Sequence, residues 1–549
     1  MHNSSSYRTI TIVGLAQGVL LYLLYYGHEE QLWPASWGLA FNLALFLCLF
    51  MPWVFYWSQD FASKRTMLGL CIGIAGIITG IVSWQVITAF PGDGGQYLRL
   101  VGPASFIGLF LVCFMWVPLV TARAQAGPAT LKYWDYAKLF EISWRNALVS
   151  AQAGLLTGLF WAVLLLGAQL FHMIGIDAPR DLLREPWLAL PLTSLSFALA
   201  YRAGLLRPHF AKAVRVQWMS ITTWLLPVTS LIGASFTLAS LSGVESLFDK
   251  GLSSFFLLWF AAFWVCFYNS AYQDGQEAPA IPAWMQKALP WLAAALLAVA
   301  GMASWALFIR IQQYGLTPDR VWGALVAAVG LTYGLGYLLP ARKSQAAWMP
   351  QIATTNLIAA LLMCAGILLL LSPIMDARRL SANSQIQRLA SGQITPDQFD
   401  ADILGHLGRF GHKALQDLIA QREQSSDYEL LTQRAEITIA YASKRDIDPT
   451  QDLKLDKLSL EKRLDIYPAG TTAPEGFLTA LQQAIGNGEL SHSHCLKQAK
   501  PCPVLFIDLN HDKQAEAILW ESGHGYQAQL YSKNGDQWQH VGRLQPYGT

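Results

Sequence analysis

The chain has 549 residues, 53% of them hydrophobic and only 13% charged, with a formal net charge of +2. That charged fraction is about half the usual share in soluble globular chains, which excludes an ordinary soluble protein. The near-neutral balance supplies neither a basic surface for nucleic acid nor an acidic solvating tail.

In chain order, apolar runs long enough for a bilayer define eleven expected spans. They lie at 9–26, 36–57, 66–90, 100–122, 147–171, 187–204, 217–241, 252–272, 287–309, 322–340 and 351–373. The first reads as a retained signal anchor, because no small-residue cleavage site follows it. Trp33, Trp37, Trp53, Trp57, Trp187, Trp284, Trp291 and Trp348 collect at span ends, as the membrane interface prefers. The short connections on one side carry fourteen Lys and Arg residues against six on the other. This bias predicts a cytoplasmic N-terminus, and an odd span count then places everything after residue 373 on the opposite, external side.

Three features of the membrane part carry expectations. Between spans four and five, Tyr133, Tyr136, Ala137, Phe140 and Trp144 share one helical face, with Lys132, Asp135, Lys138, Glu141 and Arg145 opposite. That pattern predicts a separate amphipathic helix lying in the interface. No Asp, Glu, Lys or Arg stands near the middle of a span, which argues against a carboxylate-driven, ion-coupled pump. The interior polar groups are Gln17, Asn42, Gln85, Gln152, Gln169, Asn269 and Asn356, with His172 near a span end; they read as interhelical hydrogen-bond formers. Gly69 and Gly73, and the run from Gly330 to Gly336, read as close helix contacts.

Composition shifts near Met375, after which charges are frequent and no run reaches spanning length. The fold class expected is therefore an all-α polytopic membrane bundle over 1–373, followed by a soluble α+β domain over 374–549. Within that domain, 376–486 reads as helical and 503–543 as β-hairpins. Capping patterns at Thr395-Pro396-Asp397-Gln398, Ser426-Asp427-Tyr428-Glu429 and Thr472-Ala473-Pro474-Glu475 predict helix starts. Alternation predicts strands at Val504–Asp508, Ala515–Glu521, Tyr526–Ser532 and Gln537–Gly542, with Asn534-Gly535-Asp536 as a hairpin turn.

Candidate site residues are few. Five of the seven cysteines lie in apolar spans; only Cys495 and Cys502 lie beyond them. The pair reads as a disulfide, which suits an oxidising compartment. A zinc site with His492 and His494, or two free thiols, are the competing readings. Asp508, Asn510, Asp512 and Glu516 place oxygens at positions one, three, five and nine, a spacing able to wrap calcium. Lys513 stands where a sharp-turn Gly is usual, so a plain polar hairpin competes. His28, Glu29 and Glu30 follow the first span, and Asp177, Arg180, Asp181, Arg184 and Glu185 follow the fifth. Together they form a possible external acidic cluster.

Several stretches carry a resemblance. They are Asn269-Ser-Ala-Tyr-Gln-Asp-Gly275, Gln313-Tyr-Gly-Leu-Thr-Pro318 with Arg320, Ser372-Pro-Ile-Met-Asp376 with Leu380, Ser381 and Asn383, Leu407-Gly-Arg-Phe-Gly411, and the Asp508 hairpin. Together they resemble the bacterial polytopic membrane family known as domain of unknown function 4153. The resemblance implies an inner-membrane protein of Gram-negative-type bacteria and carries over no catalytic residues. The reading that follows is a non-enzymatic transport, lipid-handling or assembly factor. Its partners would be membrane lipids and another envelope protein, with no nucleic acid. Two alternatives stand beside it: a membrane-embedded transferase using the external acidic cluster on a lipid-linked substrate, and a sensor or scaffold. No Gly-x-Ser-x-Gly elbow, Gly-rich phosphate loop or His-Glu-x-x-His helix is present.

Overall fold

The computed structural model describes the chain apart from residues 1–3, 31, 35–36, 60–62, 90–100, 126–133, 242–252, 340–347, 397, 421–430, 433–434, 437, 440–459, 462–463, 469–470, 487–501, 510–513, 522–526, 535–536 and 545–549. The fold has two compact units: residues 1–87 with 98–377, and residues 88–97 with 378–549. The first unit therefore ends past the expected limit at 373.

The first unit is helical: α1 (Ser4–Glu29), α2 (Gly38–Trp57), α3 (Lys64–Ile87), α4 (Pro103–Gln125), α5 (Tyr136–Met173), α6 (Ala178–Arg184), α7 (Pro186–Leu205), α8 (Pro208–Leu241), α9 (Ser254–Tyr272), α10 (Ala283–Tyr314), α11 (Pro318–Leu338) and α12 (Gln351–Leu371). All but α6 are long and apolar enough to cross a membrane, eleven helices among the described residues, and they match the eleven expected spans. The two least regular expected spans, at 187–204 and 322–340, are the continuous helices α7 and α11.

Two apolar cores organise the bundle. One gathers Phe50, Val54, Ile78, Leu109, Val117, Val149 and Tyr201 from α2, α3, α4, α5 and α7. The other gathers Leu226, Trp264, Tyr268, Leu296, Val299 and Tyr337 from α8, α9, α10 and α11. Helix α12 joins them: Ile352 at its start lies in the second core, and Ile367 and Leu371 near its end lie in the first. Close approach is set by glycine, but at partly unexpected places. A Cβ on Gly69 or Gly73 would meet nothing, so that pair makes no close contact. Gly14 and Gly18 of α1 do: a Cβ there would fall 2.3 Å from Ala198 Cβ and 2.4 Å from Pro191 Cα of α7. In the 330–336 run, Gly334 packs on Leu297 and Gly336 on Thr355, as expected.

The amphipathic segment is corrected. It is not a separate interfacial helix; its described part, from Tyr136, is the beginning of α5, a single helix of 38 residues. At the rise of an α-helix that is about 57 Å, against an apolar bilayer core of about 30 Å. Asp135 caps it by accepting from the Lys138 backbone N–H. Its aromatic face is covered by protein: Tyr136 packs on Tyr272 at 5.6 Å, and buried Phe140 lies beneath the Arg215 guanidinium at 5.4 Å. Lys132 and Tyr133 lie outside the described residues.

The second unit contains α13 (Ala377–Ala390, all but its first residue), α14 (Asp402–Gly405), α15 (Gly408–Ala420), α16 (Glu475–Gly486) and strands β1 (Leu464–Tyr467), β2 (Cys502–Ile507), β3 (Glu516–Glu521), β4 (Gln527–Asn534) and β5 (Gln537–Leu544). The sheet runs β1-β2-β3-β4-β5. β1 was not expected; it pairs parallel to β2, with α16 as the crossover. The other neighbours are antiparallel, with a bulge between Leu530 and Tyr531. One face buries Val504, Phe506, Leu519 and Tyr531 against Phe477 and Leu481 of α16.

A second core joins Leu389, Phe399, Leu404, Leu407, Leu415 and Leu418. The helix start expected at Thr395 is instead a turn, with Gln398 N–H donating to the Thr395 carbonyl; the helices begin at Asp402 and Gly408. The start expected at Glu475 is present, opening on the Pro474 carbonyl. The Ser426–Glu429 cap and the Gly535-Asp536 turn lie outside the described residues, although Asn534 pairs with Gln537 across that turn.

Candidate functional site

Of the external acidic group, His28, Glu29 and Glu30 lie at the end of α1, and Asp177, Asp181 and Glu185 lie in or beside α6. His28 packs on the Phe41 ring at 5.7 Å. Asp177 bonds His172, five residues back at the end of α5. Among the described residues, which include His28, Glu29, Glu30, Asp177, Asp181 and Glu185, no three His, Cys, Asp or Glu side chains could hold a metal ion together. At the second candidate site, Asn510 and Asp512 lie outside the described residues, as do Cys495, His492 and His494. Glu516, 5% exposed, accepts the Leu509 backbone N–H at 2.8 Å and so ties the end of β2 to β3. A buried carboxylate that closes a turn in this way has a structural reason to be there. Cys502 is fully buried at the start of β2.

The family-like stretches turn out to be joints. In the first, Asn269 Oδ1 accepts from Asn356 Nδ2 at 2.7 Å and from the Tyr337 hydroxyl at 3.4 Å. Asn356 Nδ2 also donates to the Tyr136 hydroxyl at 2.7 Å, so one network ties α5, α9, α11 and α12. The chain then leaves α9 through Gln273, at a φ of 52°, and Gly275, where a Cβ would strike the Tyr272 ring. In the second, Gly315 ends α10 at a φ of 74°, Thr317 caps α11, and Arg320 reaches back to the Gly315 carbonyl at 2.6 Å. In the third, the Trp84 indole donates to Asp376, which is 1% exposed, at 2.8 Å, and Gln85 donates to the Leu371 carbonyl.

The Leu407–Gly411 stretch starts α15. Gly408 has a φ of 61°, a conformation that favours glycine. A Cβ there would come within 2.4 Å of the Thr88 carbonyl oxygen, which already accepts the Arg409 N–H at 2.9 Å. Arg378 donates to the Thr88 hydroxyl at 2.6 Å. Gly411 is tighter still: a Cβ would lie 1.8 Å from the Leu404 carbonyl oxygen. These contacts fix the direction of α15 with respect to α13 within the second unit.

The consequence is a groove of about 480 Å³ between the two helices. Helix α13 lines it with Arg379, Ala382, Asn383, Ile386 and Gln387, and α15 lines it with Phe410, Lys413, Ala414, Asp417 and Leu418. Both sets recur every three or four residues, the repeat of one helical face. The volume lies within the range of small-molecule sites, and the composition, an apolar floor with a few polar groups, is the composition of such sites. Lys413 and Asp417 stand one turn apart. Neither makes a hydrogen bond or ion pair among the described residues, whereas the exposed pair Asp135 and Lys138 does, at 3.6 Å. Sequence reasoning singled out Asn383 and Phe410 only as parts of the family-like stretches and did not single out Arg379, Lys413 or Asp417. The available signal was the 410, 413, 414, 417 spacing.

The family model described as "Domain of unknown function (DUF4153)" matches residues 15–418. That match takes in all eleven spanning helices, apart from the first turns of α1, together with α13 and the groove-lining residues of α15. It stops before the sheet. No curated protein and no solved structure matches the chain.

Proposed function

The chain belongs to the DUF4153 family, and from that premise we propose that it is a non-enzymatic binding protein of the bacterial inner membrane. The spanning bundle anchors it, and the second unit recognises a ligand or envelope partner in the α13–α15 groove. The observation that carries this reading is the groove itself, formed where two family-like stretches lead into α13 and α15 and contained in the family match. The spans support the non-pumping part. Several of their interior amides bond between helices: Gln17 donates to the Cys48 carbonyl at 3.2 Å, and Asn356 donates to Asn269 at 2.7 Å.

The Lys and Arg bias and the odd span count support a periplasmic second unit. An oxidising compartment agrees with Cys502. The free thiols among the described residues are Cys48, Cys71, Cys113, Cys266 and Cys364, and Cys502 is not one of them. Cys495 is the one cysteine left to pair with it.

Reporter fusions after Thr549 test the placement. A periplasm-only reporter should be active and a cytoplasm-only reporter silent. The reverse pattern would remove both the orientation and the argument for a Cys495–Cys502 disulfide.

A further inference from the structure

We propose that the α13–α15 groove binds a small amphipathic anion: one phosphate or carboxylate carried on an apolar body. The proposal rests on reading the second unit as the binding part, but not on which side of the membrane it lies.

Three observations set the ligand class. The groove's volume of about 480 Å³ suits a single small molecule and is lined along its length by apolar side chains, including Ile386, Phe410 and Ala414. A wholly polar anion would leave that floor unused. The second observation is charge. The lining carries an open cation, Lys413. Lys413 is exposed on α15 and has no ion-pair or hydrogen-bond partner among the described residues. An ammonium held at a groove wall without a protein acceptor is a donor for an incoming oxyanion. The third is position. Asp417 lies one helical turn beyond Lys413, about 6 Å along the axis. Its negative charge disfavours a second anion there, so a polyanion fits poorly. A ligand with one charged end and an apolar remainder satisfies Lys413, avoids Asp417 and covers the floor.

That chemistry has two sources, a membrane lipid headgroup with part of its chain, or a soluble metabolite. The test uses the full chain in phosphatidylcholine nanodiscs, titrated calorimetrically with octyl phosphate, inorganic phosphate and octyl glucoside, with empty nanodiscs subtracted. Octyl phosphate should saturate one site per chain, and the other two should bind at least about tenfold more weakly, each lacking one half of the recognition. Lys413→Glu should weaken octyl phosphate by roughly ten- to a hundredfold, the worth of a hydrogen bond to a charged group. Lys413→Arg should restore it to within a few-fold, and Ala414→Trp should remove it by filling the floor. An unchanged circular dichroism spectrum for the Lys413 variants separates lost recognition from lost folding.

Equal binding of octyl glucoside, equal binding of inorganic phosphate, indifference to Lys413→Glu, or no saturable binding would each overturn the proposal. Adding phosphatidylglycerol to the nanodiscs separates the sources. Competition from it supports a lipid ligand, and an unchanged affinity supports a soluble one; both uphold the amphipathic anion. Failure here leaves the reporter-fusion result untouched, so the two readings fail separately.

Discussion

The interhelical joint of the membrane unit and the groove of the second unit use polar side chains in opposite ways. At the joint, Asn269, Asn356, Tyr136 and Tyr337 bond to one another, and Gln351 reaches the Tyr337 carbonyl at 2.9 Å. In lipid an unmet polar group has no water to turn to, so most such groups are consumed in holding helices together, although Asn356 Oδ1 is buried without a partner among the described residues. In the groove, Lys413 and Asp417 leave their charges open although each could reach the other along one helical turn. The contrast separates residues that make the fold from residues left for something else, and it can be tested position by position.

The largest effect should come from the joint that builds the groove. Gly411→Val puts a side chain into the Leu404 carbonyl, 1.8 Å from the Cβ position, where backbone cannot yield as a side chain would. A loss of about 3 kcal/mol or more is expected, read as early thermal unfolding of the second unit in the purified full chain. In the membrane unit, Asn269→Leu removes the shared acceptor of Asn356 and Tyr337. It should cost about 1–2 kcal/mol, measured by unfolding in detergent; a neutral result would mean the network is not structural. Gly73→Ala should be stabilising by up to about 1 kcal/mol, since the helix gains propensity and the new methyl meets nothing. Destabilisation there would reveal a contact made only by a second molecule. Lys413→Ala should change stability by less than about 0.5 kcal/mol. If it unfolds the unit, Lys413 belongs with the structural residues and the contrast collapses.

The smallest effect is a pH dependence. Burial pushes the His412 imidazole below its ordinary value of 6.5. The unfolded chain therefore takes up the proton more readily than the folded one, and stability must fall as pH drops through 6.5 and level off above it. The melting temperature of the second unit should follow that sign, and His412→Gln should flatten the slope. A slope of opposite sign in the parent chain would mean that another group dominates the titration.

Much of this was legible from residues alone, for a local reason. A span is defined by its own length and apolarity, and alternation marks a half-buried strand, so the eleven spanning helices and β2 to β5 could be read without neighbours. The candidate site was only half legible. Asn383 and Phe410 lay in stretches already noticed, but nothing local says that residues 379 and 413 face one groove.

The sequence by itself determined the eleven spans and the change of character after them. Tertiary structure decided the rest, because it rests on pairings between distant positions. β1 exists as a strand only because Leu464–Tyr467 lies against Cys502–Leu505. The amphipathic face of α5 is buried only because Tyr272 and Arg215 cover it. Gly14 and Gly18 are close contacts because α7 crosses them, whereas a Cβ on Gly69 or Gly73 would meet nothing among the described residues. A side chain's type is a local fact; what it touches is fixed by packing, and packing belongs to the whole chain.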